Sequence, residues 1–499
     1  MRLSYIRYIQ QIIFILLAAL ILSGCSSGNS DFADSWTIMC YLDGDNNLEE
    51  NALEDFNEME KGLYDAIAAG YADISENLNI IVMIDRTRGE DSTITESGDT
   101  DWSDTRIYRI KPDNNPVFFN SERLDDGSDL THHTIPCGEK NMGAPETLKN
   151  FIDYSLKNFT ADNYALILWN HGSGAQKKSG TIQDQFSTKA ICQDSDNNND
   201  ILFLDEVQQA LSASFNSESK LEILGFDACL MATVEVAYEF RDLAQYMVGS
   251  MSYIQDDGWS YDNLISSVNG SSMSPASFAT LMVQTYKAFI DSPPKVLNSG
   301  ETISAIDLSE IINLGEKINA LGIAIYDEDK KTEIESVRDD SISFYIDPFD
   351  SVFFPYCDLY DLCTQIQNEP FSSNLHNAAN EVITALSSAI LYSYGDNGNG
   401  QTAYFGPGYS TSQGLSIFFS RGNILFDYPY DTPNAGLNSH YSYQWWYTVK
   451  NTALEFNDTD FQYGKIDFCT SNENGTVDGW RELMEAWYDP QDDYTPSTF

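Results

Sequence analysis

Short apolar segments alternate along the first half of the chain with segments whose apolar positions repeat at helical intervals. The apolar segments are rich in β-branched residues, as buried strands are, and span residues 36–42, 80–84, 164–169, 221–226 and 246–250. Helical spacing is found in residues 47–69, 144–158 and 204–215. Asn46 and Asn47 precede the first helix and are candidate N-caps. This alternation predicts an α/β fold with a mainly parallel sheet and helices on both faces.

The pattern changes near residue 300. Beyond it the alternation weakens, and the sequence becomes richer in Tyr, Asn and Ser, with looser turns such as residues 396–400. Residues 414–419 nevertheless have the composition of a strand that can join a sheet. We therefore predict a main domain over residues 36–300 and an accessory region over residues 301–499 that can complete the sheet.

The N-terminus has the features of a targeting signal. Two arginines precede an apolar run over residues 12–22, and small residues lead to Cys25. A transmembrane anchor is the alternative, but this run is short for the roughly 30 Å of hydrocarbon that a helix must cross. The segment resembles bacterial lipoprotein signals. It predicts a signal peptide over residues 1–24, lipidation of Cys25 and a tether over residues 25–35, with the protein anchored in the bacterial cell envelope outside the cytoplasm.

Charge narrows the range of partners. The chain carries 76 acidic and 27 basic residues, a formal net charge of −49. Such a surface repels phosphate groups, which excludes nucleic-acid binding through a basic face. Cations, basic peptides and divalent metals are the favoured partners, and the 42% hydrophobic composition is that of a globular protein.

The cysteines do not form a disulfide scaffold. Eight cysteines in 499 residues is a low density, and Cys25 is assigned to lipidation. The seven others are an odd number, so at least one thiol is unpaired; they are Cys40, Cys137, Cys192, Cys229, Cys357, Cys363 and Cys469. Their oxidation state stays open at this stage, and their spacing does not match that of a zinc site.

Two predicted strands end in reactive side chains. His171 follows the strand at 164–169, and Cys229 follows the strand at 221–226. If these strands are parallel neighbours, both side chains emerge at one edge of the sheet, as a nucleophile and its base would. The backbone N–H groups of Gly172 and Cys229 are candidate donors to an oxyanion. The alternatives are a buried core cysteine and a structural histidine.

Three motifs, in order, carry a family resemblance. They are Tyr-Leu-Asp-Gly-Asp-Asn-Asn-Leu-Glu at 41–49, Asn-His-Gly-Ser-Gly at 170–174 and Gly-Phe-Asp-Ala-Cys-Leu-Met at 225–231. The chain resembles the clostripain-like cysteine peptidases of the caspase and legumain clan. The resemblance implies a caspase-like catalytic domain over residues 36–300 with a C-terminal α/β extension. It also implies that Cys229 is the nucleophile and His171 the general base and acid.

The resemblance also implies a specificity pocket. Asp227 matches the family aspartate that faces a basic residue before the scissile bond, and a helix N-cap is the alternative role. The chain departs from the family near this pocket, since Met251 and Ser252 occupy positions that are usually acidic. Asp256 and Asp257 either replace that charge or form a solvated turn.

A polar loop is a candidate calcium site. Asp194, Asp196, Asn198 and Asp200 place oxygen ligands at alternate positions, as in an EF-hand loop. The loop lacks the glycine of that motif, although Asn199 can adopt the left-handed conformation that a sharp turn requires. The segment before it has the pattern of a strand and not of an entering helix. A polar loop that binds no ion is the alternative, and no organic cofactor is expected.

The loop after the catalytic histidine suggests maturation by self-cleavage. Some relatives are cut in this region, and Lys177 and Lys178 lie in a flexible basic stretch between two glycines. We expect cleavage near these lysines. An ordinary exposed loop is the alternative.

The combined prediction is an exported, membrane-anchored cysteine endopeptidase that hydrolyses peptide bonds after Arg or Lys through a thioester acyl-enzyme. The alternative from another class is an inactive peptidase-like lipoprotein that binds cationic peptides or calcium, because a scaffold can outlive its activity. A surface adhesin is a third interpretation, but it does not explain the Cys229 and His171 pairing.

Overall fold

A computed structural model describes most of the chain between residues 34 and 488. The described residues are 34–71, 74–87, 95–96, 102–125, 138–175, 191–268, 273–292, 300–346, 353–396, 409–419, 468 and 477–488. Their strands are β1 Trp36–Gly44, β2 Leu78–Arg86, β3 Thr95–Glu96, β4 Arg106–Arg109, β5 Phe118–Phe119, β6 Glu122–Arg123, β7 Asn163–Trp169, β8 Ile191–Asp194, β9 Asp200–Leu202, β10 Leu221–Asp227, β11 Ala244–Gly249, β12 Thr302–Asp307, β13 Ser343–Ile346, β14 Phe353–Asp358, β15 Ile390–Gly395 and β16 Ser416–Phe418. Their helices are α1 Glu49–Ala68, α2 Ile74–Asn77, α3 Pro145–Asn158, α4 Leu204–Ser212, α5 Val234–Phe240, α6 Tyr261–Ser267, α7 Pro275–Ile290, α8 Ile311–Glu328, α9 Lys331–Asp340, α10 Leu359–Asn368, α11 Ser373–Ala389 and α12 Trp480–Tyr488, with a 3₁₀ turn at Leu308–Glu310.

The centre of the molecule is a nine-stranded sheet with the order β15-β12-β11-β10-β7-β1-β2-β4-β6. The five strands from β11 to β2 are parallel. Antiparallel strands extend both ends, with β4 and β6 beyond β2 and with β12 and β15 beyond β11. This confirms the predicted α/β class with a mainly parallel central sheet.

Helices cover both faces of this sheet because its strands are apolar on both sides. In β1, Met39 and Tyr41 point into one core, whereas Cys40 and Leu42 point into the other. Helices α1, α6 and α7 cover the face that holds Cys40, and α3, α4, α5, α8, α10, α11 and α12 supply the core on the face that holds Tyr41. Burial on both sides explains the nearly continuous apolar runs of the strands.

The strand order reverses between β1 and β7. The chain passes from β1 to β2 on one side, and later from β7 to β10 and β11 on the other. A crevice forms outside the carboxyl ends of the strands at such a reversal, and it is the usual ligand site of an open α/β sheet. The residues after β1, β7 and β10 therefore surround one site.

The region beyond residue 300 is not separate from the main sheet. It supplies β12 and β15 to that sheet. It also forms a small sheet of β13, β14 and β16, so the strand expected at 414–419 lies in this second sheet as β16. The bridge between Thr233 and Ser416 joins that sheet to the chain that follows β10.

The predicted elements match the observed ones with small shifts. The five predicted strands correspond to β1, β2, β7, β10 and β11, and the three predicted helices to α1, α3 and α4. Leu48, and not Asn46 or Asn47, occupies the N-cap position of α1, without a side-chain hydrogen bond. Asn46 acts just before it, since its Oδ1 accepts a hydrogen bond from the Leu48 N–H at 2.9 Å, whereas Asn47 contacts His171.

Two further findings concern the described residues alone. Among them, no helix combines the length and apolar character needed to cross a membrane. The cysteines that the structure describes are all free thiols; they are Cys40, Cys192, Cys229, Cys357 and Cys363.

Candidate active site

The candidate nucleophile and base follow two paired strand ends. Trp169 at the end of β7 is the register partner of Asp227 at the end of β10. His171 and Cys229 each lie two residues further on. The parallel register therefore brings both reactive residues to the carboxyl edge, as the sequence predicts.

Gly172 allows the segments that follow β7 and β10 to lie in close contact. A Cβ atom at this position would lie 2.4 Å from the Cys229 carbonyl oxygen and 2.9 Å from the Cys229 nitrogen, so only glycine fits. The two residues predicted to donate N–H groups to an oxyanion are thus adjacent. The cysteine turn is fixed from another side, because the Leu230 N–H donates to the Ser252 carbonyl oxygen at 3.0 Å.

The thiol of Cys229 is neutral at rest. The pKa of this thiol is raised to about 12, chiefly by burial and in part by the charges of Glu301 and Asp227, while the N–H of Ile254 acts in the opposite direction. That N–H donates to Sγ at 3.3 Å. Since a thiolate is the reactive form, a base must remove this proton during the reaction.

The imidazole of His171 is half-buried and lies beside Asn47. Its Nε2 is 3.0 Å from Asn47 Oδ1. With the amide oxygen as acceptor, the imidazole proton is on Nε2 and Nδ1 is the basic nitrogen. Asn47 is a site residue, although its place in the sequence had indicated a helix cap. The signal that could have identified it is its position just after β1, at the same edge of the sheet.

A second residue after β7 fixes the histidine backbone. The Asn170 side chain accepts a hydrogen bond from the His171 N–H and donates one to the Asp43 carbonyl oxygen. The same carbonyl accepts a hydrogen bond from the Asn46 side chain at 3.2 Å. Asparagine side chains thus connect the ends of β1 and β7 at the point where the strand order reverses.

Asp227 is held in a buried pocket with a second carboxylate. Its Oδ2 accepts hydrogen bonds from the Trp259 N–H at 3.0 Å and from the Tyr261 hydroxyl at 2.9 Å. Its Oδ1 is buried without a hydrogen-bond partner. Asp55 on α1 lies close by, and its Oδ2 accepts a hydrogen bond from Trp169 Nε1 at 2.7 Å. Helix α5 has its own N-cap in Thr233, so the helix-cap interpretation of Asp227 is wrong.

Gly258 lies between the two carboxylates. A Cβ atom there would be 2.8 Å from Asp55 Oδ2 and 3.1 Å from Asp227 Oδ2, and the φ of +58° also favours glycine. Burial raises the pKa of Asp227 to about 7. It raises that of Asp55 as well, and the charge of Asp227 adds to the effect. Two such carboxylates form a site for a cationic group.

The segment after β11 begins with Met251 and Ser252 and therefore has no acidic side chain at its start. Met251 and Ser252 are buried, and their N–H groups donate to Thr302 Oγ1 at 2.9 and 3.0 Å. A carboxylate that acts on the thiol is Glu301, which lies just before β12. It is buried and accepts a hydrogen bond from the Tyr286 hydroxyl at 3.0 Å. Asp256 and Asp257 are exposed. Glu301 is far from Cys229 in the chain, and the sequence offered no signal for it.

A second group of carboxylates lies at the carboxyl edge of β1 and β2. Asp45, Glu139 and Asp194 each offer one oxygen, and these oxygens all lie within 4.8 Å of one another. Asp43 and Asp85, which are register partners, are also buried here. Desolvation and mutual repulsion raise the pKa values of Glu139 and Asp194 to about 7.

The residues predicted to bind calcium do not converge. Asp194 belongs to this carboxylate group, whereas Asp200 accepts a hydrogen bond from the Asn141 side chain at 2.7 Å. Asp196 contributes its backbone N–H to Asp45 Oδ2 at 2.8 Å. Asn198 lies in the turn with a φ of +64°, and Asn199 has the expected left-handed conformation with a φ of +54°.

Three predicted positions, Cys25, Lys177 and Lys178, lie outside the described residues. The ends of the segment that contains the two lysines are described. Ala175 donates its N–H to the Tyr356 hydroxyl at 3.1 Å, and Ile191 forms a bridge with Gly172. Both ends are therefore held beside the candidate site.

The chain is similar to known proteins over most of its length. The model of the Peptidase C11, or clostripain, family matches residues 40–462. The chain is 31% identical over 514 residues to clostripain of Hathewaya histolytica, covering 94% of this chain and 90% of that protein.

Two solved structures share the fold. A secreted C11 cysteine protease from Bacteroides thetaiotaomicron, in complex with an irreversible peptide inhibitor, matches with a TM-score of 0.53 and 21% identity over 78% of this chain and 93% of that one. An inactive zymogen C11 protease from Parabacteroides distasonis matches with a TM-score of 0.53 and 18% identity over 84% and 96% of the two chains. These similarities confirm the predicted caspase-like architecture.

Proposed function

The chain belongs to the clostripain family of cysteine endopeptidases, and on that premise we propose that it hydrolyses peptide bonds after Arg or Lys through Cys229 and His171. The observation that carries the specificity is the buried, unpartnered Oδ1 of Asp227 at the end of the strand that leads to Cys229. A buried carboxylate oxygen that is removed from water and accepts no hydrogen bond is stabilised by a nearby cationic side chain.

The chemistry follows from the neutral thiol. His171 removes the proton from Cys229 Sγ as the sulfur attacks the substrate carbonyl carbon. The N–H groups of Gly172 and Cys229 stabilise the oxyanion of the tetrahedral intermediate. The imidazolium then gives its proton to the leaving amine, and a thioester remains on Sγ. His171 next takes a proton from the water that attacks the thioester; the C–S bond then breaks, the imidazolium returns its proton to Sγ, and the acid product leaves. Thiol, imidazole and backbone donors supply all these steps without an organic cofactor.

The charges near the thiol link specificity to activation. Glu301 and Asp227 both raise the pKa of Cys229. A guanidinium or ammonium group bound at Asp227 opposes that negative field, so it lowers the thiol pKa when the substrate arrives. A substrate with a neutral side chain leaves the field unchanged. Basic substrates are therefore favoured in the chemical step as well as in binding.

We propose that the enzyme is exported and tethered to a membrane through Cys25. Strand β1 begins at Trp36, eleven residues later, at the amino edge of the sheet. A tether of this length reaches about 35–40 Å when extended. Attachment at the amino edge supports the proposal, because the active-site edge is then the edge remote from the attachment point. Cys25→Ala is expected to release the protein from membranes, and detection of the acylated N-terminal peptide by mass spectrometry checks the modification.

We propose that the active form is cut near Lys177 or Lys178. The contacts of Ala175 with Tyr356 and of Ile191 with Gly172 support this, since they hold both ends of the segment after a cut. Mass spectrometry should find the new ends in the wild-type protein and an intact chain in Cys229→Ala. An intact chain in fully active enzyme would rule out this maturation.

The function is tested with fluorogenic peptides that differ only in the residue before the cleaved bond, which is Arg, Lys, Leu or Asp. With calcium and reductant present, we expect cleavage of the Arg and Lys peptides. Cys229→Ala should reduce kcat by about 10⁴-fold or more, because it removes the nucleophile.

Cys363→Ala is the matched control, because it removes a fully buried thiol from α10. It should retain activity. Cleavage after Leu or Asp alone would refute the specificity, and equal activity in Cys229→Ala would refute the assigned nucleophile. A folded, processed protein without turnover would favour the inactive peptide-binding alternative.

A further inference from the structure

We propose that Thr302, the first residue of β12, is a positioning residue that holds the turn of Cys229 in its reactive conformation through the segment at 250–254. Thr302 belongs to the region beyond residue 300, far from Cys229 in the chain. The inference rests on the proposed role of Cys229 as the nucleophile. It adds a residue that acts on the thiol through a neighbouring segment and not on the substrate.

The segment at 250–254 contacts the cysteine turn at two points. The Ile254 N–H donates a hydrogen bond to Cys229 Sγ at 3.3 Å. The Leu230 N–H donates one to the Ser252 carbonyl oxygen at 3.0 Å. The position of the thiol and of the backbone beside it therefore depends on the position of this segment.

The cysteine turn requires such support because its backbone is strained. Leu230, the residue directly after Cys229, has a φ of +64°, which is costly for a residue other than glycine. Strain of this kind persists only where surrounding contacts enforce it. The hydrogen bond from Leu230 to Ser252 is such a contact, and a change of conformation at Leu230 would move the adjacent Cys229.

One hydroxyl group holds the supporting segment in place. Thr302 is completely buried, and its Oγ1 accepts hydrogen bonds from the Met251 N–H at 2.9 Å and the Ser252 N–H at 3.0 Å. Because these two donors occupy its lone pairs, its own proton is directed to Ser250 Oγ at 2.8 Å. Ser250 Oγ in turn donates to the Ser252 carbonyl oxygen at 3.0 Å, the same oxygen that accepts from Leu230.

The strand register explains why the hydroxyl is at this position. Strands β11 and β12 are antiparallel, with Gly249 opposite Ser304. Continuing this register by two residues places Met251 opposite Thr302. A valine would have the same branched shape but would offer no acceptor, so the segment would move to satisfy its buried N–H groups elsewhere. Thr302 is therefore required for its hydroxyl group as well as for its shape.

The kinetic test compares Thr302→Val with Thr302→Ser, using the Arg peptide. Thr302→Val should lower kcat by about 10- to 100-fold, because a small displacement of the nucleophile has an effect of this size. KM should change by less than about threefold, since the substrate contacts are retained. Thr302→Ser keeps the hydroxyl and should restore kcat to within about threefold of the wild type.

A second measurement follows the thiol without turnover. The Ile254 N–H lowers the pKa of Cys229, so loss of this contact should leave less thiolate. Alkylation of Cys229 by iodoacetamide at pH 8 should then slow by about 3- to 10-fold in Thr302→Val and remain unchanged in Thr302→Ser. Mass spectrometry of the Cys229 peptide gives the rate.

Thr37→Val is the matched control. Thr37 is also completely buried in a strand, and its hydroxyl donates to the Phe159 carbonyl oxygen at 2.8 Å, but it lies at the amino edge of the sheet. This variant should lower the Tm as Thr302→Val does and leave kcat and the alkylation rate unchanged. If Thr302→Val does not fold, Ser250→Ala takes its place, since it removes the link to the Ser252 carbonyl oxygen and should lower kcat by about 3- to 10-fold.

Two results would overturn the proposal. One is a folded Thr302→Val, or Ser250→Ala in its place, with the kcat and alkylation rate of the wild type. The other is an equal loss of kcat in Thr37→Val, which would show a general effect of lower stability. Both differ from a failure of the proposed function, in which Cys229→Ala would itself remain active.

Discussion

Two groups of carboxylates, most of them buried, lie at the carboxyl edge of one sheet, on opposite faces of it. Asp227 and Asp55 lie on the face covered by α1, where the core includes Trp169 and Ile223. Asp43 belongs to the other face, because it follows Tyr41 by two positions along β1. Both groups concentrate negative charge where a neutral core would be more stable.

The two groups differ in how their oxygens are arranged. Asp227 and Asp55 each accept hydrogen bonds from neutral donors, and Gly258 lies between them. The other group brings three carboxylates to within 4.8 Å from three segments. The first group is satisfied in part by neutral donors, whereas the second brings its oxygens together from segments that are far apart in the chain. That proximity contributes to the raised pKa values of Glu139 and Asp194.

Neutralising Asp227 alone tests whether its carboxylate selects basic substrates. Asp227→Asn should lower kcat/KM for Arg and Lys peptides by about 10²–10³-fold, because loss of a desolvated ion pair costs about 3–5 kcal/mol. Steady-state kinetics with Arg and Leu peptides checks this. Cleavage of the Leu peptide should change little.

Asp256→Asn is the control, since it removes an exposed carboxylate that also acts on the pKa of Cys229. Its effect should be less than threefold because solvent screens an exposed charge. An equal loss for the Arg and Leu peptides in Asp227→Asn would show that Asp227 does not bind the basic side chain.

The pH dependence should differ between basic and neutral substrates. Burial raises the pKa of Asp227 to about 7, so below that pH the free pocket is protonated and uncharged. The ratio of kcat/KM for Arg to that for Leu should therefore fall about tenfold per unit as the pH drops below 7. Because both substrates use the same histidine, the ratio cancels its titration. A ratio that stays constant from pH 5 to 8 would contradict the role of Asp227.

Asp55→Asn should separate the two carboxylates of the pocket. It removes one acceptor for the substrate cation, so kcat/KM for the Arg peptide at pH 8 should fall about 3- to 10-fold. It also removes the charge that repels an ionised Asp227, since the two carboxylates interact. The acid limb of the Arg-to-Leu ratio should then move to lower pH. A limb at the unchanged pH would mean that Asp55 does not act on Asp227.

The sequence predicted the central fold because each central strand is apolar on both faces and is bounded by polar turns. The register of β7 with β10 then follows from their parallel order, and it places Cys229 beside His171. The additional strands β12 and β15 were harder to predict. They pair antiparallel at the sheet edge, far along the chain, where periodicity carries little information about partners.

The sequence predicted the site residues that lie close to the reactive residues in the chain. It missed those that packing brings in from other segments. Asp227 lies two residues before Cys229 and was found through the family resemblance, in which it matches the family aspartate. Asp55 and Glu301 reach the same site from a helix and a distant strand, and neither has a motif. The predicted calcium loop shows the same limit. Its members were grouped by alternating spacing, whereas the structure brings Asp194 together with Asp45 and Glu139 from other segments.

The smallest expected effect concerns the hydrogen bond between Asn47 and His171. Asn47→Ala removes the contact with His171 Nε2, and kcat should fall about 2- to 10-fold because a hydrogen bond of about 0.5–1.5 kcal/mol is lost. KM should change little, since Asn47 positions the base and does not bind substrate. Asn47→Asp should retain most of the activity, because a carboxylate oxygen can accept the same hydrogen bond. A loss of activity in Asn47→Asp as large as that in Asn47→Ala would show that this hydrogen bond does not position the base.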